Sequence, residues 1–182
     1  MKWDNLLLSG VIHILKLEVR KVLVPYDSSE FSENALDYAV FLAKSLSKGN
    51  PNEKNIKIVI LHVIQELPLT KAVLDKMITG CEKKNPSLDS CIENIYQEIK
   101  TLMEEEINEK KLKYKLIEGV SIESSIMYGD PAIKIVEYAK DNMIDMIIIG
   151  SNGLHGLAKI KGLGSVSRKV SENVRCPIVI IR

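Results

Sequence analysis

Short apolar runs alternate with stretches of helical spacing along most of this chain, and that alternation leaves few folds open. Residues 22–25 (VLVP), 56–64 (IKIVILHVI), 122–128 (IESSIMY), 144–149 (IDMIII) and 177–181 (PIVII) read as five strands. The first run, VLVP, is apolar enough to suit a strand covered on both faces. Between the first two, Ser28 and Ser29 are candidate helix caps, with Glu30 in the first turn. Ala35, Leu36, Ala39, Leu42, Ala43 and Leu46 recur at three and four, and Gly49, Asn50 and Pro51 stop that helix. A longer helix is expected from about Ser90, on Ile92, Ile95, Ile99, Leu102, Met103 and Ile107, ending at Glu118-Gly119. Asp130-Pro131 opens another, with Ala132, Ile135, Val136 and Ala139 inward. The last opens at Ser165, with Val166, Val170 and Val174 inward. Residues 65–90 are broken by Leu67-Pro68 and Asn85-Pro86, with room for a short helix over 72–78.

Such alternation gives a mostly parallel sheet with helices on both faces. Ligands of these sheets sit beyond the carboxyl ends of the strands, near the switch in strand order. The residues that matter therefore follow the strands: Pro25, Tyr26, Asp27 and Ser28; His62, Val63 and Ile64; Gly129 and Asp130; and the loop from Gly150 to Ser165.

Composition removes other classes. The chain has 182 residues, 46% hydrophobic and 27% charged, which is ordinary globular usage and room for one domain. A net charge of +1 makes no case for nucleic acid. Positive charge is nonetheless gathered late, where Lys159, Lys161, Arg168, Lys169, Arg175 and Arg182 face Glu172 alone. Cys81, Cys91 and Cys176 form no CxxC, and His13, His62 and His155 are scattered, so neither a disulfide framework nor an all-protein metal site is expected. A reducing, cytoplasmic setting follows. No apolar run is long enough for a membrane span. Residues 6–15 (LLLSGVIHIL) lack the flanks of a signal peptide and read as an extra strand or a packed extension.

The loop after the fourth strand holds five of the ten glycines and ends at a helix N-terminus, where backbone N–H groups and the helix dipole favour an anion. Ser165 either caps that helix or donates to a phosphate. A plain surface connection is the alternative. The Walker pattern is absent, and Gly162, Gly164 and Ser167 only approximate the dinucleotide fingerprint. Asp27, just past the first strand, suits ribose hydroxyls or a cation at a triphosphate; equally, it merely starts the next helix.

These pieces together resemble the universal stress protein family, in its nucleotide-binding branch. The resemblance rests on VLVPYDSSEFSENALDYA (22–39), ILHVI (60–64), YGDPAIKIV (128–136), DMIIIGSNG (145–153), LGSVSRKV (163–170) and CPIVII (176–181), in the family's order. It implies a single doubly wound five-stranded α/β sheet, Rossmann-like and adenine nucleotide alpha hydrolase-like, of order 3-2-1-4-5. It covers residues 20–182 and leaves 1–19 as an extension and 65–90 as a variable insert. It further implies binding of ATP, AMP or ADP, with Mg or Mn. Asp27 would contact ribose and phosphates and hold the metal; the Val63 backbone would contact adenine. Gly150, Gly153, Gly164 and Ser165 would wrap the phosphates. Pro25, Tyr26, Ile149 and Val166 complete the implied ligand set. One departure stands: ten residues separate Gly153 from Gly164, where the family pattern has nine. Either the extra residue bulges at Gly156 or Gly162, or it spoils the cradle.

The resemblance also implies a homodimer paired through the strand 178–181; the alternative is an edge covered by residues 11–17. Three functions compete: an ATP-binding dimeric module of the stress response, a slow Mg- or Mn-dependent ATPase using Asp27 and His155, and a scaffold of the same fold that has lost the nucleotide. No catalytic residue is assigned, and the protein partner is unspecified.

Overall fold

The structure, a computed structural model, describes residues 19–47, 55–65, 88–153 and 162–182. The extension 1–18, the insert residues 66–87, and His155, Gly156, Lys159 and Lys161 lie outside the described residues.

Among the described residues, five strands alternate with four helices: β1 (Lys21–Pro25), α1 (Glu30–Ser47), β2 (Ile56–Ile64), α2 (Leu88–Tyr114), β3 (Val120–Tyr128), α3 (Pro131–Asp141), β4 (Met146–Gly150), α4 (Ser165–Asn173) and β5 (Ile178–Ile181). They form one sheet in which every pair is parallel, as the alternation led us to expect, and its order is β3-β2-β1-β4-β5, as the resemblance implied.

The period of two in the strands divides the apolar residues between two cores. Val22, Val24, Ile56, Ile58, Ile60 and Ile148 point to the face covered by α1 and α2, where they meet Ala35, Leu36, Ala39, Ala43 and Ile107. Leu23, Val59, Leu61, Ile147 and Ile149 point to the other face and meet Ala132, Ile135 and Ala139 of α3 and Val170 of α4. Leu23, Leu36, Ile58, Ile60 and Ile147 are wholly buried. A sheet covered on both sides leaves only its rims and edges for function.

Several boundaries and faces differ from expectation. β1 starts one residue earlier and β3 two residues earlier than the apolar runs suggest, because Lys21 pairs with Lys57, and Val120 and Ser121 pair with Ile56 and Lys57. Ile144 is not in β4: its N–H donates to Ala139 O and closes the turn after α3, where Met143 has φ 51°. Pro177 precedes β5 and supplies the carbonyl that accepts from Ile147 N–H. α2 begins at Leu88, ahead of the expected start. On α2, Leu102 is 63% exposed because it lies five positions from buried Ile107, on the opposite side of the helix. Leu46 is 46% exposed in the last turn of α1, past the buried stripe that ends at Ala43. Among the described residues no helix is long and apolar enough to cross a membrane.

Candidate functional site

Strand order reverses between β1 and β4, so the chain leaves their adjacent carboxyl ends in opposite directions and opens a crevice. The β1 rim is built from hydroxyls and one carboxylate. Tyr26 N–H donates to Leu61 O at 2.9 Å and prolongs the pairing with β2. Asp27 follows, then Ser28 at φ 63°. Asp27 Oδ1 accepts from Ser29 N–H (3.2 Å) and Ser29 Oγ (2.6 Å). Ser29 Oγ accepts in turn from Ser32 N–H at 3.2 Å, which makes Ser29 the cap of α1. Of the two candidate caps, Ser29 takes the role. Ser28 Oγ is turned to α2, where it donates to Glu106 Oε2 at 2.8 Å. Asp27 thus helps to start the helix through Ser29, and its other oxygen, Oδ2, is turned to Gly153 of the β4 rim.

The β4 rim lies against it. A Cβ on Gly153 would stand 2.5 Å from Asp27 Oδ2, so only the bare glycine backbone can come this close to the carboxylate. Gly150 meets a different constraint: a Cβ there would lie 2.8 Å from the Phe31 carbonyl carbon in the first turn of α1. Its bareness therefore serves helix-on-strand packing.

Ser151 joins the two ends of the glycine loop. It is 2% exposed, and its N–H donates to Ile181 O of β5 at 2.7 Å. Its carbonyl accepts from Gly164 N–H at 2.7 Å and from Ser167 Oγ at 2.9 Å. Ten residues between Gly153 and Gly164 do not keep the loop ends apart.

Ser165 does not cap α4. It is the first helical residue and exposed, the cap position belongs to Gly164, and no side chain bonds to the first turn. The reason is spacing: the chain needs an extended residue after Leu163 to reach Ser151, and Gly164 is that residue, at φ −61° and ψ 163°. The first-turn N–H groups at Ser165 and Val166 therefore keep the character of an anion site. Val166 is half-buried against the α3–α4 core.

Val63 sits two residues beyond Leu61, the partner of Pro25, and so lines the next strand end. Its neighbour His62 has Nδ1 at 2.8 Å from Tyr26 O. Ile149 is buried in the second core. Tyr26 is 2% exposed, and its phenol points into the protein, donating to Glu106 Oε1 at 2.6 Å with Glu33 also in contact. Burial, then the hydrogen bonds to Glu106 and Glu33, push this phenol far above the ordinary tyrosine range. Tyr26 frames the site from below.

The supporting residues Ser32, Glu33, Glu106 and Ser151 carried no sequence signal of their own. Glu106 is one of three consecutive glutamates on α2 and reads as solvated surface. Ser167 was visible only as the end of the approximate dinucleotide fingerprint, whereas its actual role is local: its Oγ donates to Gly164 O at 3.1 Å.

No group of three or more His, Cys, Asp or Glu able to hold a metal occurs among the described residues. Asp27 could be only one ligand of a cation whose other oxygens came from a bound molecule. Cavities of about 340 and 390 Å³ lie elsewhere, between α2 and the edge strand β3, lined in part by Tyr96 and Tyr128 and by Lys100 and Ser124.

The model of the universal stress protein family matches residues 18–182. Universal stress protein YxiE of Bacillus subtilis is 34% identical over 163 residues, 89% of this chain and 98% of its own length. Among solved structures, UspA from Lactobacillus plantarum superposes with a TM-score of 0.69 at 21% identity, over 89% of this chain and 97% of that one. A universal stress protein in complex with cAMP does so with a TM-score of 0.50 at 21% identity, over 90% and 96%.

Proposed function

The chain belongs to the universal stress protein family, and on that premise we propose that it binds ATP or a related adenine nucleotide between the ends of β1 and β4 and acts as a dimeric regulatory module of the stress response. The observation that carries this reading is the approach of Asp27 to Gly153 across the switch in strand order. A carboxylate pressed against a bare backbone, next to a helix N-terminus without a side-chain cap, offers an acceptor for ribose hydroxyls on one side and donors for phosphate on the other. A relative of the same fold has been solved with cAMP, another adenine nucleotide.

In this reading the ribose lies on Asp27 and adenine reaches the Val63 backbone. The phosphates lie along Gly153, Gly164, Ser165 and Val166. Asp27 repels phosphate unless a cation is shared between them, so Mg²⁺ or Mn²⁺ enters with the triphosphate. Cradling of this kind supplies no positioned base, so binding is favoured over turnover.

The dimer reading rests on β5. Ile147 N–H bonds to Pro177 O and Ser151 N–H to Ile181 O, which turns these alternate carbonyls towards β4. The polar groups of Ile178 and Ile180 accordingly face away from β4, towards an edge that no described strand pairs. An apolar edge of this kind invites aggregation unless paired, and a twofold copy pairs it.

Calorimetric titration of purified protein with ATP, AMP and cAMP, with and without Mg²⁺, tests the site. Micromolar binding, about −8 kcal/mol, that disappears in Asp27→Ala supports it. A folded, nucleotide-free protein that binds none of the three would leave only the scaffold.

A further inference from the structure

We propose that Glu106 of α2 is a positioning residue for the nucleotide site: it holds the Asp27 turn in its binding shape and so couples the seating of α2 to ligand occupancy. The inference rests on the nucleotide reading of the crevice and adds a regulatory contact to it.

One carboxylate grips both neighbours of Asp27. Glu106 Oε1 accepts from Tyr26 OH at 2.6 Å, and Oε2 accepts from Ser28 Oγ at 2.8 Å. These partners are 80 and 78 positions away in sequence, so only the docking of α2 brings them together. Between them Asp27 is presented to Gly153.

The turn needs holding. Ser28 has φ 63°, a left-handed conformation that a serine adopts at a cost and keeps only when its surroundings enforce it. The Ser28–Glu106 bond ties that side chain to α2. A relaxed Ser28 would swing the preceding carboxylate away from Gly153.

Glu106 does not hold α2 in place for the sake of the core. Ile107 and Tyr114 are buried on that helix and provide its apolar anchorage. Glu104 and Glu105 are exposed, whereas Glu106 is half-buried at the turn. Lys110, one turn along α2, pairs with Glu33, which is the other carboxylate on Tyr26, and offsets one of the two negative charges there. The phenol has one proton for two carboxylates. Lys110 also holds Glu33 and Ser28 also donates to Glu106, so each carboxylate has a partner besides the phenol. α1, α2 and the β1 turn thus meet in one hydrogen-bonded cluster directly beneath Asp27. By linkage, any shift of α2 that breaks these bonds weakens the ligand, and ligand binding holds α2 down by the same factor.

The test uses Glu106→Ala, Glu106→Gln and, as a control on an exposed position of the same helix, Leu102→Ala. ATP affinity is measured by titration and amide exchange by mass spectrometry, with and without ATP. We expect Glu106→Ala to weaken ATP roughly tenfold, the loss of about one charged hydrogen bond. Glu106→Gln, which keeps an acceptor oxygen, recovers most of it, and Leu102→Ala binds as wild type. In wild type, ATP slows exchange in α2; in Glu106→Ala it does not. In the ligand-free protein, amides of residues 26–32 exchange faster in Glu106→Ala than in Leu102→Ala. That last comparison needs no nucleotide, so it separates failure of this inference from failure of the nucleotide reading. Unchanged exchange at 26–32, or unchanged affinity in a Glu106→Ala protein whose wild type binds ATP, overturns it.

Discussion

Replacing Gly153 by alanine sets the site against the fold. The new methyl carbon would stand 2.5 Å from Asp27 Oδ2 and 3.7 Å from its Cγ. Carbon and oxygen settle near ~3.5 Å, so either the carboxylate or the loop must move by about 1 Å. Binding constellations tolerate displacements of about 0.5 Å. One charge-assisted hydrogen bond from Asp27 to the ligand is then lost, about 1.5–3 kcal/mol, or roughly a 10- to 100-fold rise in Kd. The fold should hardly notice, because the clashing atom is the end of a side chain and not backbone. Alanine also reduces the freedom of the unfolded chain, which offsets part of any strain. We therefore expect Tm to stay within about 4 °C of wild type while calorimetric affinity for ATP collapses. Wild-type affinity in Gly153→Ala, with Asp27→Ala losing it, would refute the idea that the Asp27–Gly153 approach shapes the site. A collapse of Tm in step with affinity would refute the separation of site from fold.

Other outcomes follow from the same structure. Ile60→Ala removes a wholly buried side chain from the α1–α2 core and should cost about 2–5 kcal/mol in urea unfolding; a loss under about 1 kcal/mol would mean the core repacks freely. The Tyr26 phenol, raised by burial and by Glu106 and Glu33, ionises first in the unfolded chain. Its contribution to stability is therefore intact below about pH 10 and falls as pH rises beyond that, by up to about 1.4 kcal/mol per unit. Tyr26→Phe should flatten the decline of urea midpoints above about pH 10 relative to wild type; equal slopes would contradict the burial of this group. Ile180→Pro removes an N–H that faces the open edge and spares the bonds to β4. Sedimentation should then find a folded monomer in place of the proposed β5-paired dimer; a surviving dimer would place the interface elsewhere.

Alternating periods in the sequence were enough to find the strands and helices of the described residues and to make the sheet parallel, because the central strands β1, β2 and β4 are apolar on both faces; the order of the strands came from the family resemblance. The same local chemistry marked Asp130 as a cap, and the structure has its side chain accepting from Ile133 N–H. Asp27 and the glycine loop were visible as residues that follow strands. What the residues do to one another was not. That Gly153 lies on Asp27 while Gly150 lies on Phe31, two glycines with the same local look, depends on which helix each strand end meets. Ser165 looked like a cap until the bond from Gly164 to Ser151 took the extended position for itself. Glu106 reads as a solvated glutamate, and its grip on Tyr26 and Ser28 exists only once α2 has docked. Period and capping act over four or five residues, so the chain encodes them locally. A contact across eighty residues is chosen by packing, and packing is a property of the whole fold.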